Sequence, residues 1–140
     1  MKVKISWTEI GSHIDRLAQT IAADGHSFDQ VVAISRGGLV LGVALAHKFN
    51  VPLVTVDISS YDNDTQRALI CNTSDVVFKS LGKCLCCDDL VDSGETLSFL
   101  QKKIVDVRAT AVIFYKERSI VTPDYFAEKT DQWICFPWEY

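Results

Sequence analysis

The sequence predicts an α/β domain built on a central, mostly parallel, twisted sheet flanked by helices. Two observations carry that expectation. Apolar runs of strand length alternate with helix-periodic segments, and the runs are apolar at consecutive positions, the pattern of strands buried on both faces. Two of these strands lead into unusual polar turns, and open α/β sheets hold their ligands beyond the carboxyl ends of their strands. At 140 residues the chain has the size of one domain. No internal repeat, low-complexity stretch or Pro/Gly/Ser linker divides it.

Taken in order, Ser6-Trp7-Thr8-Glu9 has the spacing of a capping box, and Ile10, Ile14, Leu17 and Ile21 then recur at helical intervals. Asp24-Gly25 ends that helix. Val31 to Ile34 is a short buried-type strand that runs into Ser35-Arg36-Gly37-Gly38 and an apolar helix from Leu39 to about Phe49. Asn50 and Pro52 stop the helix, and Leu53 to Ile58 forms the next strand. Residues 59–82 are different: a polar run is followed by two weak strands flanking Asn72-Thr73-Ser74-Asp75, which reads as a lid. Cys84 to Cys87 is the third strand, followed by an acidic turn from Asp88 to Thr96 and a helix with Leu97, Leu100 and Ile104 on one face. Lys102-Lys103 sits in its last turn, where the helix dipole favours cations. Ala111 to Tyr115 is the fourth strand, and Trp133 to Phe136 a short last one.

Composition narrows the function classes. Hydrophobic residues make up 48% of the chain and charged residues 23%, a globular balance. Lys plus Arg number 14 against 18 Asp plus Glu, for a net charge of −4, which disfavours nucleic acid as a partner. There is no transmembrane-length apolar stretch and no signal-peptide core. The five cysteines lack disulfide-like or zinc-like spacing, and none of the three histidines completes a metal cluster. Reduced, buried thiols in a cytoplasmic protein are expected.

The chemistry concentrates at the acidic turn. The amides of Asp92-Ser93-Gly94-Glu95-Thr96, with the Ser93 and Thr96 hydroxyls, lie at the positive end of a helix and can cradle a phosphate. Gly94 lets that backbone approach closely. Asp88 and Asp89 can accept hydrogen bonds from vicinal hydroxyls or contribute to a Mg²⁺ shell. The combination fits a sugar bearing both a phosphate and hydroxyls. Neither GxxxxGK[ST] nor GxGxxG is present. An acidic, capped helix start without a ligand is the plainer reading, although N-caps rarely use three carboxylates.

The run Cys86-Cys87-Asp88-Asp89-Leu90-Val91-Asp92-Ser93-Gly94-Glu95-Thr96 resembles the phosphoribosyl-pyrophosphate (PRPP) motif of type I phosphoribosyltransferases: apolar residues, two acids, a spacer, then D-[ST]-G-x-T. The likeness covers nearly the whole chain and runs toward the bacterial xanthine-guanine members. Ile34-Ser35-Arg36-Gly37-Gly38-Leu39-Val40 looks like their pyrophosphate loop, the stretch from Ile58 to Arg67 like their lid, and Trp133-Ile134 with Pro137-Trp138-Glu139 like their purine-binding end, about 116–140. The resemblance implies one domain over 1–140 with the type I fold, and a Mg²⁺-dependent transfer of ribose 5-phosphate from PRPP to guanine, xanthine or hypoxanthine. By the same resemblance Asp88 and Asp89 hold the ribose hydroxyls and Mg²⁺, and Asp92, Ser93, Gly94, Glu95 and Thr96 the 5′-phosphate. Arg36 and Gly37 bind pyrophosphate, with Ser60, Tyr61 and Arg67 closing from the lid. Lys116 donates to the purine 6-oxo oxygen, Trp133 stacks on the base, the Trp133 and Ile134 backbone reads its 2-position, and Asp92 sits near purine N7. A homo-oligomer, dimer or tetramer, is also implied. Cys135 departs from the pattern, standing where those members carry an acid near the base. A regulatory protein on the same fold and a scaffold that has lost catalysis are the competing readings.

Overall fold

A computed structural model describes residues 2–62 and 67–140, the side chains at 61, 62 and 67 excepted. The elements run β1 (Lys2–Lys4), α1 (Trp7–Ala23), β2 (Gln30–Ser35), α2 (Leu39–Phe49), β3 (Leu53–Asp62), β4 (Arg67–Cys71), α3 (Asp75–Lys79), β5 (Cys84–Val91), α4 (Glu95–Lys103), β6 (Val107–Tyr115), β7 (Tyr125–Lys129) and β8 (Trp133–Cys135). Six strands form the central sheet in the order β4-β3-β2-β5-β6-β7. All its neighbouring pairs are parallel except β3 with β4.

Strand alternation explains how this sheet is covered. On one face Val31, Leu85, Cys87, Ala111 and Ile113 pack with Ile10, Leu17 and Ile21 of α1 and Leu41 and Leu45 of α2. On the other, Val32, Ile34, Val56, Cys84 and Cys86 meet Phe78 of α3 and Leu100 of α4. Each central strand therefore buries both faces, and the consecutive apolar residues are accounted for. Gly42 lets α2 lie close on β2, since a Cβ there would fall 2.6 Å from that of Ala33.

The capping box forms as expected: Ser6 N–H donates to Glu9 Oε2 at 2.7 Å, and Glu9 N–H to Ser6 Oγ at 3.1 Å. Several elements differ from the sequence expectation. β5 continues to Val91, so Asp88 and Asp89 lie within the strand, Asp88 opposite Val112, and only Asp92 onward forms the turn. Of the two weak strands around Asn72–Asp75, the first is β4, paired with the far half of β3, while the second is the helical turn α3, which buries Phe78. The last strand, β8, does not join the main sheet: it pairs with β1, Lys2 opposite Trp133 and Lys4 opposite Cys135. β1 and β7 are additions that the sequence did not announce.

The chain leaves β2 toward β3 on one side and β5 toward β6 on the other, so the sheet's topological switch lies between β2 and β5. A crevice opens outside the carboxyl ends of such a pair. Ser35–Gly38 and Asp92–Thr96 are the two turns that flank it.

Candidate functional site

β2 and β5 deliver their terminal residues to one cleft of about 270 Å³, lined by Ser35, Gly37, Ser60, Asp88, Asp89, Asp92, Ser93, Gly94 and Thr96 together with apolar residues of the strand ends. Gly37 is required by space: a Cβ there would lie 2.2 Å from Asp89 Oδ2, so the turn's backbone rests against the carboxylate. Gly38 is equally confined, 2.6 Å from the Cys87 carbonyl oxygen by the same measure. The Ser35–Arg36 peptide is cis. Gly94, at φ +86°, caps α4 and adopts a backbone conformation that side chains oppose. The first-turn amides of α4 have no acceptor within the helix, and they face the cleft end of the dipole.

A larger opening of about 1280 Å³ adjoins this cleft through Ser35, Gly37 and Asp89, and brings in Arg36, Asp57, Ser59, Asn72, Trp138 and Glu139. Asp57 is fixed there by Asn72, whose Nδ2 donates to Oδ2 at 3.0 Å. Trp138 stacks on Phe136 with ring centroids 4.7 Å apart. On the other side a third opening of about 340 Å³ is lined by Lys116, Glu117, Arg118, Thr130 and Asp131. Lys116, at 8% exposure, reaches back toward Asp92, its Nζ 3.8 Å from Oδ1. Arg118 Nε donates to the same oxygen at 2.7 Å, and its Nη2 contacts it as well.

Acid outweighs base at the strand end. Burial pushes the Asp88 carboxyl well above the ordinary carboxylate range, and the neighbouring Asp89 charge pushes it further. Burial likewise raises Asp89, with the Glu139 charge adding to it against hydrogen bonds that oppose the shift. Asp89 N–H donates to Asp88 Oδ1 at 2.9 Å. Two adjacent carboxyls with no ion pair among the described residues are a fitting donor set for Mg²⁺, which takes one or two protein carboxylates and completes its shell with substrate oxygens and water. Among the described residues no group of three or more His, Cys, Asp or Glu could hold a metal ion by itself.

Gly37, Ser60, Asp88, Asp89, Asp92, Ser93, Gly94 and Thr96 thus converge in one cleft, with Arg36 and Lys116 in the openings on either side. Glu95 begins α4, its amide 3.4 Å from Ser93 Oγ. Trp133 and Ile134 are not among the residues lining these openings: Trp133 is 64% exposed, with Lys2 Nζ 6.0 Å from its ring, and the Ile134 side chain lies in the core. The side chains of Tyr61 and Arg67 lie outside the described parts. Sequence reasoning missed Asp57, Asn72 and Arg118 as lining residues.

An open α/β sheet with helix-start amides and paired acids at its switch point is an arrangement suited to a phosphorylated, hydroxyl-bearing ligand. The phosphoribosyl transferase domain matches over residues 6–140, and the chain belongs to that family. It is 31% identical over 138 residues to a xanthine-guanine phosphoribosyltransferase of Idiomarina loihiensis, covering 96% of this chain and 85% of that one. Among solved structures it is similar to a purine phosphoribosyltransferase from Pyrococcus horikoshii, with TM-score 0.82, 26% identity and 99% and 95% of the two chains covered. A Helicobacter pylori xanthine-guanine-hypoxanthine phosphoribosyltransferase superposes with TM-score 0.82 at 25% identity, covering 99% and 94%.

Proposed function

We propose that the protein is a 6-oxopurine phosphoribosyltransferase, making a purine nucleoside monophosphate and pyrophosphate from PRPP and guanine, xanthine or hypoxanthine in purine salvage. The observation that carries this reading is the convergence of the Asp92–Thr96 cradle with the Asp88–Asp89 pair in one cleft at the switch point. The cradle takes the 5′-phosphate, and Asp88 and Asp89 take the ribose hydroxyls and hold Mg²⁺. When bound, Mg²⁺ neutralises charge on the pyrophosphate. Arg36 and the Gly37 amide hold the same group from the adjoining opening. Purine N9 bonds to C1 of the ribose as the bond from C1 to pyrophosphate breaks, and the base surrenders one proton, which Asp92 accepts near N7. Lys116 donates to the 6-oxo oxygen from the opening it lines.

The hairpin of β3 and β4, with Ser60, Tyr61 and Arg67, acts as the cover that keeps water from the positively charged sugar centre, whereas α3, within the 59–82 range expected for it, packs Phe78 into the core instead. The working form is a homo-oligomer, dimer or tetramer, in the cytoplasm. Among the described residues no helix is long and apolar enough to cross a membrane.

The test is pyrophosphate release with each base plus PRPP and Mg²⁺. A lysine ammonium can only donate, so adenine's 6-amino group leaves it unpaired at about 1–3 kcal/mol, roughly 5- to 150-fold. Guanine is expected to turn over well and adenine hardly at all. Lys116→Ala is expected to cut use of every 6-oxopurine while leaving PRPP binding nearly intact. Adenine as the best substrate, or full guanine activity in that variant, would refute the purine assignment and leave the PRPP assignment standing.

A further inference from the structure

We infer that Arg118 is a positioning residue for Asp92, anchoring one carboxylate oxygen so that the other is presented to the base. The inference rests on the reaction proposed above and adds a residue to it. The contacts on Asp92 are one-sided. Oδ1 accepts from Arg118 Nε at 2.7 Å, is contacted by Arg118 Nη2, and lies 3.8 Å from Lys116 Nζ. Oδ2 receives no hydrogen bond among the described residues. Torsion about the bond carrying a carboxylate is soft and roughly two-fold, so an unanchored Asp92 would spread over many orientations. Two donors from one planar guanidinium on a single oxygen remove that freedom, which a single flexible ammonium cannot do as well.

Arg118 is itself held from both sides. Lys116 N–H donates to the Val91 carbonyl at 3.0 Å, Ser119 N–H closes the turn onto the Lys116 carbonyl at 3.0 Å, and Ile120 N–H donates to the Ser93 carbonyl at 2.8 Å. Ser119 Oγ occupies the space a Gly94 Cβ would fill, at 2.2 Å. The segment carrying Arg118 is therefore stitched to the end of β5 and to the phosphate cradle, and Arg118 and Asp92 meet across 26 positions of sequence because of it. The Arg118 side chain is 67% exposed and that of Asp92 33%. An ion pair so wet contributes little to stability, so its removal reads out positioning rather than folding.

The experiment is a double-mutant cycle on guanine and PRPP turnover with Mg²⁺, using R118A, D92N and the pair together. In R118A kcat is expected to fall about three- to fivefold, the scale an exposed ion pair can supply, while the KM for PRPP stays within about twofold. In the D92N background R118A is expected to add nothing, because the oxygen it orients no longer accepts a proton. Should R118A lose its fold, R118Q, which keeps the stem but not the charge, carries the same expectation. Either of two results overturns the inference alone: R118A with wild-type kcat, or losses that multiply in the double variant. A wild-type protein that transfers no phosphoribosyl group overturns this inference and the proposed function together.

Discussion

Asp88 and Asp89 carry the site's largest electrostatic cost. Both carboxyls are raised by burial, Asp88 also by its neighbour's charge, so the folded state holds protons that the unfolded chain has released. A carboxyl whose folded pKa lies above its unfolded one destabilises the fold increasingly as pH rises past the unfolded value of about 4. Asp88→Asn removes one ionisation. It is expected to raise the metal-free melting temperature at pH 8 by roughly 4 °C for each kcal/mol relieved, with the gain shrinking toward pH 4. Calorimetry at both values checks this, and a lower melting temperature at pH 8 would contradict it. The same variant is expected to lose activity, since Asp88 is read as holding the ribose hydroxyls and Mg²⁺. Both residues stood out in the sequence because adjacent carboxylates after an apolar run have few structural uses. Arg118 did not, because an ion pair spanning 26 positions leaves no periodic trace.

At the scale of elements, legibility followed length and burial. α1 was readable from both ends, its capping box and its apolar stripe pointing the same way. β7 hides because it is an edge strand of five residues ending in exposed Glu128 and Lys129, and β1 because Val3 is its only apolar residue. The segment after Asp75 reads as a weak strand because Val76, Val77 and Phe78 favour strands, but it forms a helical turn that buries Phe78 and leaves Val76 exposed. β5 looked too short because carboxylates are scarce in strands; the site overrides that propensity. α1 also carries a pH-dependent liability. His13 packs edge-on against Phe114 with centroids 5.3 Å apart, and burial, with the nearby Arg16 charge, holds its pKa below the usual 6.5. The unfolded chain therefore takes up a proton that the folded one resists, and stability is expected to fall as pH drops through about 6.5. His13→Leu should flatten the curve of melting temperature against pH between 7 and 5. An unchanged slope would show that other groups set it.

For the whole molecule, the doubly covered sheet was legible from the consecutive apolar residues of its strands, which also put Ser35–Gly38 and Asp92–Thr96 beyond the strand ends; the strand order, and with it the switch point, was not, because crossovers leave no residue pattern. The hairpin of β3 and β4 was only half legible, since its second strand is short and its partner is the far end of a longer one. If residues 59–82 cover the reacting sugar, deuterium uptake across that hairpin is expected to drop on adding PRPP with Mg²⁺. Equal uptake with and without ligand would make it a fixed wall of the site. The middle of the sheet has a consequence of another kind. Cys84, Cys86 and Cys87 are sealed between the two helical layers, and burial pushes the Cys84 thiol up to about 11 and the other two higher still. A thiol-reactive dye can reach them only in the moments when β5 parts from its neighbours. The protein thus carries a chemical stopwatch in its central strand, and the rate of dye uptake there reports how readily the fold opens.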